Sequence, residues 1–235
     1  MRTLTHDPEP PPHGETRLAA GRAGSRSRVT AYRDDGPLAS VLGGLARGRL
    51  PPLPGTLIAL AVTTALLAAG VGEQRSTVLF APAVALMLTG PAARHPHKGR
   101  FDWLVPPVIR AIEYGYLAAL GFAQGVPAPL VYVLIATLAY HHYDIVYRTR
   151  QGFRPPDRLS RAGLGWDGRM LLAAFAGLAG LLPFAYAALA VYLGVMFVTE
   201  SAATWARIGH TGRRAGAHGA GRGDGVIGDL EDEQA

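Results

Sequence analysis

The stretch LPGTLIALAVTTALLAAGV, Leu53–Val71, carries no charge over the length a helix needs to cross a hydrocarbon core of about 30 Å. A second uncharged block, STVLFAPAVALMLTGPA (Ser76–Ala92), follows after one short loop. A soluble domain spreads its apolar residues in amphipathic periods, whereas here they come in blocks. The mean hydropathy of +0.16 agrees. The sequence therefore predicts an all-α integral membrane protein.

Further apolar runs extend the pattern. A third span is predicted over about Trp103–Phe122, turned by AQGVPA, and a fourth over about Pro129–Tyr147. Met170 to Trp205 is almost wholly apolar, too long for one span and a little short for two. Pro183 offers a break, giving a fifth span over about Asp167–Leu182 and a sixth over Phe184–Thr204.

Charge decides the count. With six spans, 21 of the 23 Lys and Arg residues fall on one side, in residues 1–52, 94–102, 148–169 and the tail. That asymmetry marks the cytoplasmic side, whereas five spans would place the tail's four arginines outside. The expectation is about six spans in the plasma membrane of a bacterium, with both termini cytoplasmic. No apolar run precedes the first span, which is expected to act as its own insertion signal. The net charge of +6 is read as a topology signal rather than as a nucleic-acid footprint. The absence of cysteine excludes disulfides and thiolate metal sites.

Residues 1–34 are rich in Pro, Gly, Ser and Arg and are predicted to be disordered. DDGPLASVLGGLARGRLPP then reads as a short interfacial amphipathic helix opening a membrane domain over residues 35–206. Asp34 or Asp35 is placed to cap it and Pro37 to open it, while Leu38, Val41, Leu42 and Leu45 recur at helical spacing. Arg47 and Arg49 are expected among head groups. The tail, residues 207–235, is Gly-rich with an acidic end and is predicted to be disordered. Its GAGRGDG lacks the preceding strand and following helix of a phosphate loop.

Ionisable groups inside spans are costly and point to function. Arg110 and Glu113 lie three apart on the third span, about 10 and 15 Å deep at 1.5 Å per residue. Ala111, Gly115 and Ala119 run along a different face, as a small-residue row that admits a close helix neighbour. YHHYDIVYR closes the fourth span. Tyr140, Tyr143, Asp144 and Tyr147 share one arc, His141 borders it and His142 points away. HHxD then offers at most two metal ligands, His141 and Asp144, where a catalytic zinc takes three, so no metal site is assigned. The rival reading of the cluster is an interfacial belt of tyrosines with polar neighbours reaching water.

Asp167 and Arg169 open the fifth span, and Glu200 lies near the cytoplasmic end of the sixth. Four spans thus bring polar groups to one leaflet. The candidate catalytic residues, as acids or metal ligands, are Glu113, Asp144, Asp167 and Glu200. The candidate substrate-binding residues are Arg110, Tyr140, His141, Arg148 and Arg169, whose arginines suit an anionic or phosphorylated ligand. Nothing in the sequence names a cofactor.

FDWLVPPVIRAIEYGYLAALGF, YHHYDIVYR and GWDGRMLLAA together resemble a domain-of-unknown-function family of membrane domains from high-GC Gram-positive bacteria. The resemblance covers about residues 30–206. In many members the domain lies C-terminal to a CDP-alcohol phosphatidyltransferase domain. The resemblance implies a place in phospholipid head-group chemistry, as accessory or partner of a phosphatidyltransferase; the expected partners are the bilayer and either such an enzyme or a second copy of the chain. The phosphatidyltransferase signature DxxDGxxAR…GxxxDxxxD is not met by DGPLASVL or DGRMLLAAFAG, so no catalytic residue carries over. Three readings result: an accessory or partner domain, a membrane transferase or hydrolase, and a small transporter with Arg110 and Glu113 in its path.

Overall fold

The computed structural model describes residues 32–70, 75–96, 99–152 and 162–220. Every regular element among them is helical: α1 (Pro37–Leu45), α2 (Pro52–Gly70), α3 (Arg75–Thr89), α4 (Val105–Ala123), α5 (Ala128–Arg150), α6 (Gly165–Leu178) and α7 (Leu182–Ala220). Short 3₁₀ turns occupy Gly90–Ala92 and Asp102–Leu104. The predicted all-α class holds, and six helices occupy the positions of the six predicted spans. Two of them, α2 and the Leu182–Ala206 part of α7, are long and apolar enough to cross a membrane. The others fall short of that test. α6, with 14 residues, is only about 21 Å long.

Most of the predicted disordered termini, residues 1–31 and 221–235, lies outside the described residues. Tyr32 and Arg33 are already helical, however, and α7 continues to Ala220. The chain divides into two compact units, residues 1–190 and 191–235, the second continuing α7.

Within the first unit α4 is central, packed against α2, α3, α5 and α6. Leu117 and Leu120 of α4 and Leu134 and Leu138 of α5 are buried. The Tyr186 hydroxyl donates to the Leu117 carbonyl at 2.6 Å. In the apolar helices hydroxyls turn back on the preceding turn, Thr56 Oγ1 donating to Pro52 O at 2.6 Å and Thr89 Oγ1 to Ala85 O at 2.7 Å. Each such bond gives a hydroxyl a partner where the surround is apolar.

The small and large residues of α1 divide between two faces. Ala39 and Gly43 are buried, and a Cβ on Gly43 would stand 2.9 Å from the Arg94 nitrogen. Leu38, Val41 and Leu45 are exposed. The two central glycines, unfavourable for a free helix, thus include the contact that seats α1. Asp34 and Asp35 do not cap it. Gly36 is the N-cap residue, and the capping carboxylate comes from α6.

Candidate functional site

Asp167 is that carboxylate. One oxygen accepts from Gly36 N at 2.6 Å, and the other from Leu38 N at 3.1 Å and Ala39 N at 3.0 Å. The amides that open α1 have no partners within their own helix, so a cap supplied across the fold satisfies them. Asp167 is buried with its charge spread over three donors. Asp167→Ala is expected to destabilise the α1 junction by about 1–3 kcal/mol. Hydrogen exchange at Leu38 and Ala39 checks this, and unchanged protection there would refute the capping role.

The junction is tight. Trp166 Nε1 donates to Asp35 Oδ1 at 2.9 Å, and Trp166 N donates to Asp34 O at 3.2 Å. Arg33 Nε meets Asp35 Oδ2 at 2.7 Å. Gly165 sits at φ +63°, and a Cβ there would lie 2.2 Å from the Gly36 nitrogen. Arg33 to Gly36 and Gly165 to Asp167 form one contact between two short motifs, RDDG and GWDGR.

Behind this contact lies a buried charge cluster. Glu113 of α4 accepts from Arg169 Nε of α6 at 2.7 Å on one oxygen and from Arg110 Nη1 on the other. Arg169 uses its remaining fork for Asp34 Oδ2 at 2.7 Å and for the Gly163 carbonyl at 2.9 Å. Arg110 Nη2 donates to the Arg33 carbonyl. From α5, His142 Nε2 stands 3.3 Å from Asp34 Oδ2 and His141 Nε2 stands 4.0 Å from Asp34 Oδ1. The Tyr114 hydroxyl bonds His142 Nδ1. Asp34 itself lies at φ +49°, which aspartate tolerates better than most residues. Burial pushes its carboxyl up. The Arg169 guanidinium, the His142 hydrogen bond, His141 and Arg110 outweigh that and hold it well below the usual carboxylate range.

The structure therefore joins Arg110, Glu113, Arg169 and His141 of the predicted residues in one cluster, with Asp167 beside it. Asp144 pairs with Arg148 on α5 itself, Nη2 to Oδ2 at 2.6 Å. Tyr140 is exposed, as are Tyr143 and Tyr147, whose rings stack at 6.2 Å. The predicted arc thus separates, with tyrosines outward and Asp144 buried. Glu200 belongs to the second unit, where Thr204 Oγ1 lies 3.4 Å from its carboxylate.

His142, which points away from the tyrosine arc, faces the charge cluster instead and makes the closer approach to Asp34, because two rings 100° apart on a helix can flank a carboxylate lying between them. On α4 the packing face within the chain is the charged one. Glu113 is buried, whereas Ala111 and Gly115 are exposed and a Cβ on Gly115 would meet nothing within 4 Å.

Arg33, Asp34 as a ligand of Arg169, Asp35, Tyr114 and Trp166 are the contributors that sequence reasoning missed. Chemically the cluster is a buried ion-pair network. Both oxygens of Glu113 are held by guanidinium groups, and a carboxylate so occupied is a poor general base. Among the described residues no group of three or more His, Asp or Glu side chains has the arrangement of a metal site.

The family of unknown function DUF5941 matches residues 23–221 of the chain. No curated protein and no solved structure matches it.

Proposed function

The chain belongs to the DUF5941 family of unknown function, and from that premise we propose a multi-pass membrane protein that serves as an accessory or partner domain rather than as a catalyst. The observation that carries this reading is the commitment of the best-placed acids. Glu113 is bound to two arginines, and Asp167 caps α1. Both oxygens of each carboxylate are engaged by donors within the fold, which commits the two acids to structural roles.

The membrane reading rests on α2 and α7 and on an inside-out distribution of side chains. Arg33, Glu113, Asp167 and Arg169 are buried, while Phe80, Met87, Tyr132, Val133 and Phe175 are exposed. Water disfavours such a surface and lipid favours it. Six crossings with both termini in the cytoplasm of a bacterium fit the arginine distribution. The link to phospholipid head-group metabolism rests on the family resemblance, through its association with CDP-alcohol phosphatidyltransferases.

The open Ala111–Gly115 face of α4 is where a partner helix fits, since small residues let two backbones approach closely in lipid. Gly115→Ile is expected to weaken co-purification with a CDP-alcohol phosphatidyltransferase about tenfold or more, or about 1.4 kcal/mol. The open space around Gly115 should leave the elution position and melting temperature of the chain alone unchanged. A complex that survives both Gly115→Ile and Ala111→Ile would sink the partner face. Turnover of a phosphorylated lipid, abolished by Glu113→Gln in a folded protein, would favour the enzyme reading instead.

A further inference from the structure

The guanidinium groups of Arg110 and Arg169 sum to two positive charges, and Glu113 cancels one of them. The remaining charge is met by Asp34, a residue that does not belong to the helices forming the cluster. Asp34 enters from the segment ahead of α1 at a left-handed backbone angle. Its carboxylate is received as a bound anion would be: by Arg169 Nη2 at 2.7 Å, by His142 Nε2 at 3.3 Å, and with His141 Nε2 at 4.0 Å. The receiving groups come from α5 and α6. Two further donors, Arg110 Nε and Arg33 Nη1, are buried and have no hydrogen-bond partner among the described residues.

We propose that Arg169, Arg110, His141 and His142 form a binding site for a monoanionic oxyanion, a carboxylate or a phosphodiester, which the chain's own Asp34 occupies in this structure. The charge of the ligand follows from the balance. One negative charge beside Glu113 neutralises the two arginines, whereas a dianionic phosphate monoester would overshoot. Planar guanidinium forks match both carboxylate and phosphodiester geometry. A phosphodiester reaches the site either as a lipid head group or as a free solute, and the two sources are separable. The inference stands apart from the accessory reading, because it requires binding and no turnover.

The test uses the full-length chain in phosphatidylcholine nanodiscs, with Trp103→Phe and Trp205→Phe leaving Trp166 as the sole indole. Trp166 is buried and bonded to Asp35, so its emission reports the Asp34 segment leaving its seat. At constant ionic strength against chloride, Asp34→Gly is expected to bind dimethyl phosphate or acetate about tenfold or more tighter than the parent. Its melting temperature should rise saturably with either anion, and Arg169→Gln added to it should abolish both effects. If Asp34→Gly is unfolded in chloride, recovery of the folded fraction in acetate or dimethyl phosphate is the same result, and no recovery overturns the proposal.

In the parent, a red shift of Trp166 in phosphatidylglycerol nanodiscs assigns the ligand to a lipid. A shift with dimethyl phosphate alone assigns it to a solute. A folded Asp34→Gly protein that binds neither anion better than the parent overturns the site, and leaves the partner-face experiment at Gly115 unaffected.

Discussion

Arg169→Ala is expected to cost about 3–5 kcal/mol, the range for removing one partner of a buried ion pair. The reason is the number of groups left behind. Arg169 is fully buried and serves Glu113, Asp34 and the Gly163 carbonyl together, so its loss takes a charged donor from two buried carboxylates and a donor from a carbonyl. Arg169→Lys should recover little, because an ammonium on a flexible stem cannot reproduce three divergent guanidinium bonds. Denaturation of the purified protein in detergent, followed by Trp166 emission, provides the measurement. A loss under 1 kcal/mol would mean that water reaches the cluster and screens it.

Gly165→Ala should be comparably damaging, for a steric reason. The φ of +63° is unfavourable for any residue with a Cβ, and the added carbon would stand 2.2 and 2.3 Å from the Gly36 nitrogen and Cα. Neither contact is with the end of a flexible side chain, so relief requires the RDDG segment to move. A loss of about 3 kcal/mol or more is expected, accompanied by exposure of Trp166. The reciprocal change, Gly36→Ala, meets Asp167 Oδ1 and the Leu164 carbonyl and should behave alike. If Gly165→Ala melts with the parent and keeps Trp166 buried, the contact is looser than its distances require.

The helices were legible because each depends on neighbours in sequence. Uncharged blocks, Pro183 and Pro37 act within a few residues, and among the described residues α1 opens at Pro37 and α7 at Leu182, beside Pro183. Arg110 and Glu113 were equally readable as an i, i+3 pair. The Asp34–Arg169 bond joins residues 135 apart, which no local periodicity can report. Asp34 stands in a segment of disordered composition just ahead of Pro37, where an acid ordinarily reads as a cap. One signal was nevertheless present. The interior helices hold Arg110 and Arg169 against Glu113, and an uncompensated arginine in a buried site demands another acid. The small residues of the neighbouring α4 face show where a helix fits closely, and not whether that helix belongs to the same chain.

The contact between RDDG and GWDGR also orders events in time. Asp167 lies 131 residues after Gly36, so α1 has no cap when it leaves the ribosome. At about 5–20 residues per second, some 7–26 s pass before the capping carboxylate is even synthesised. Until then α2 through α5 must be laid down around an unfilled place, with Arg110 and Glu113 lacking their third partner. Seating of the leading segment is therefore a last act of assembly, and a chain stalled before α6 carries its own visible mark of incompleteness.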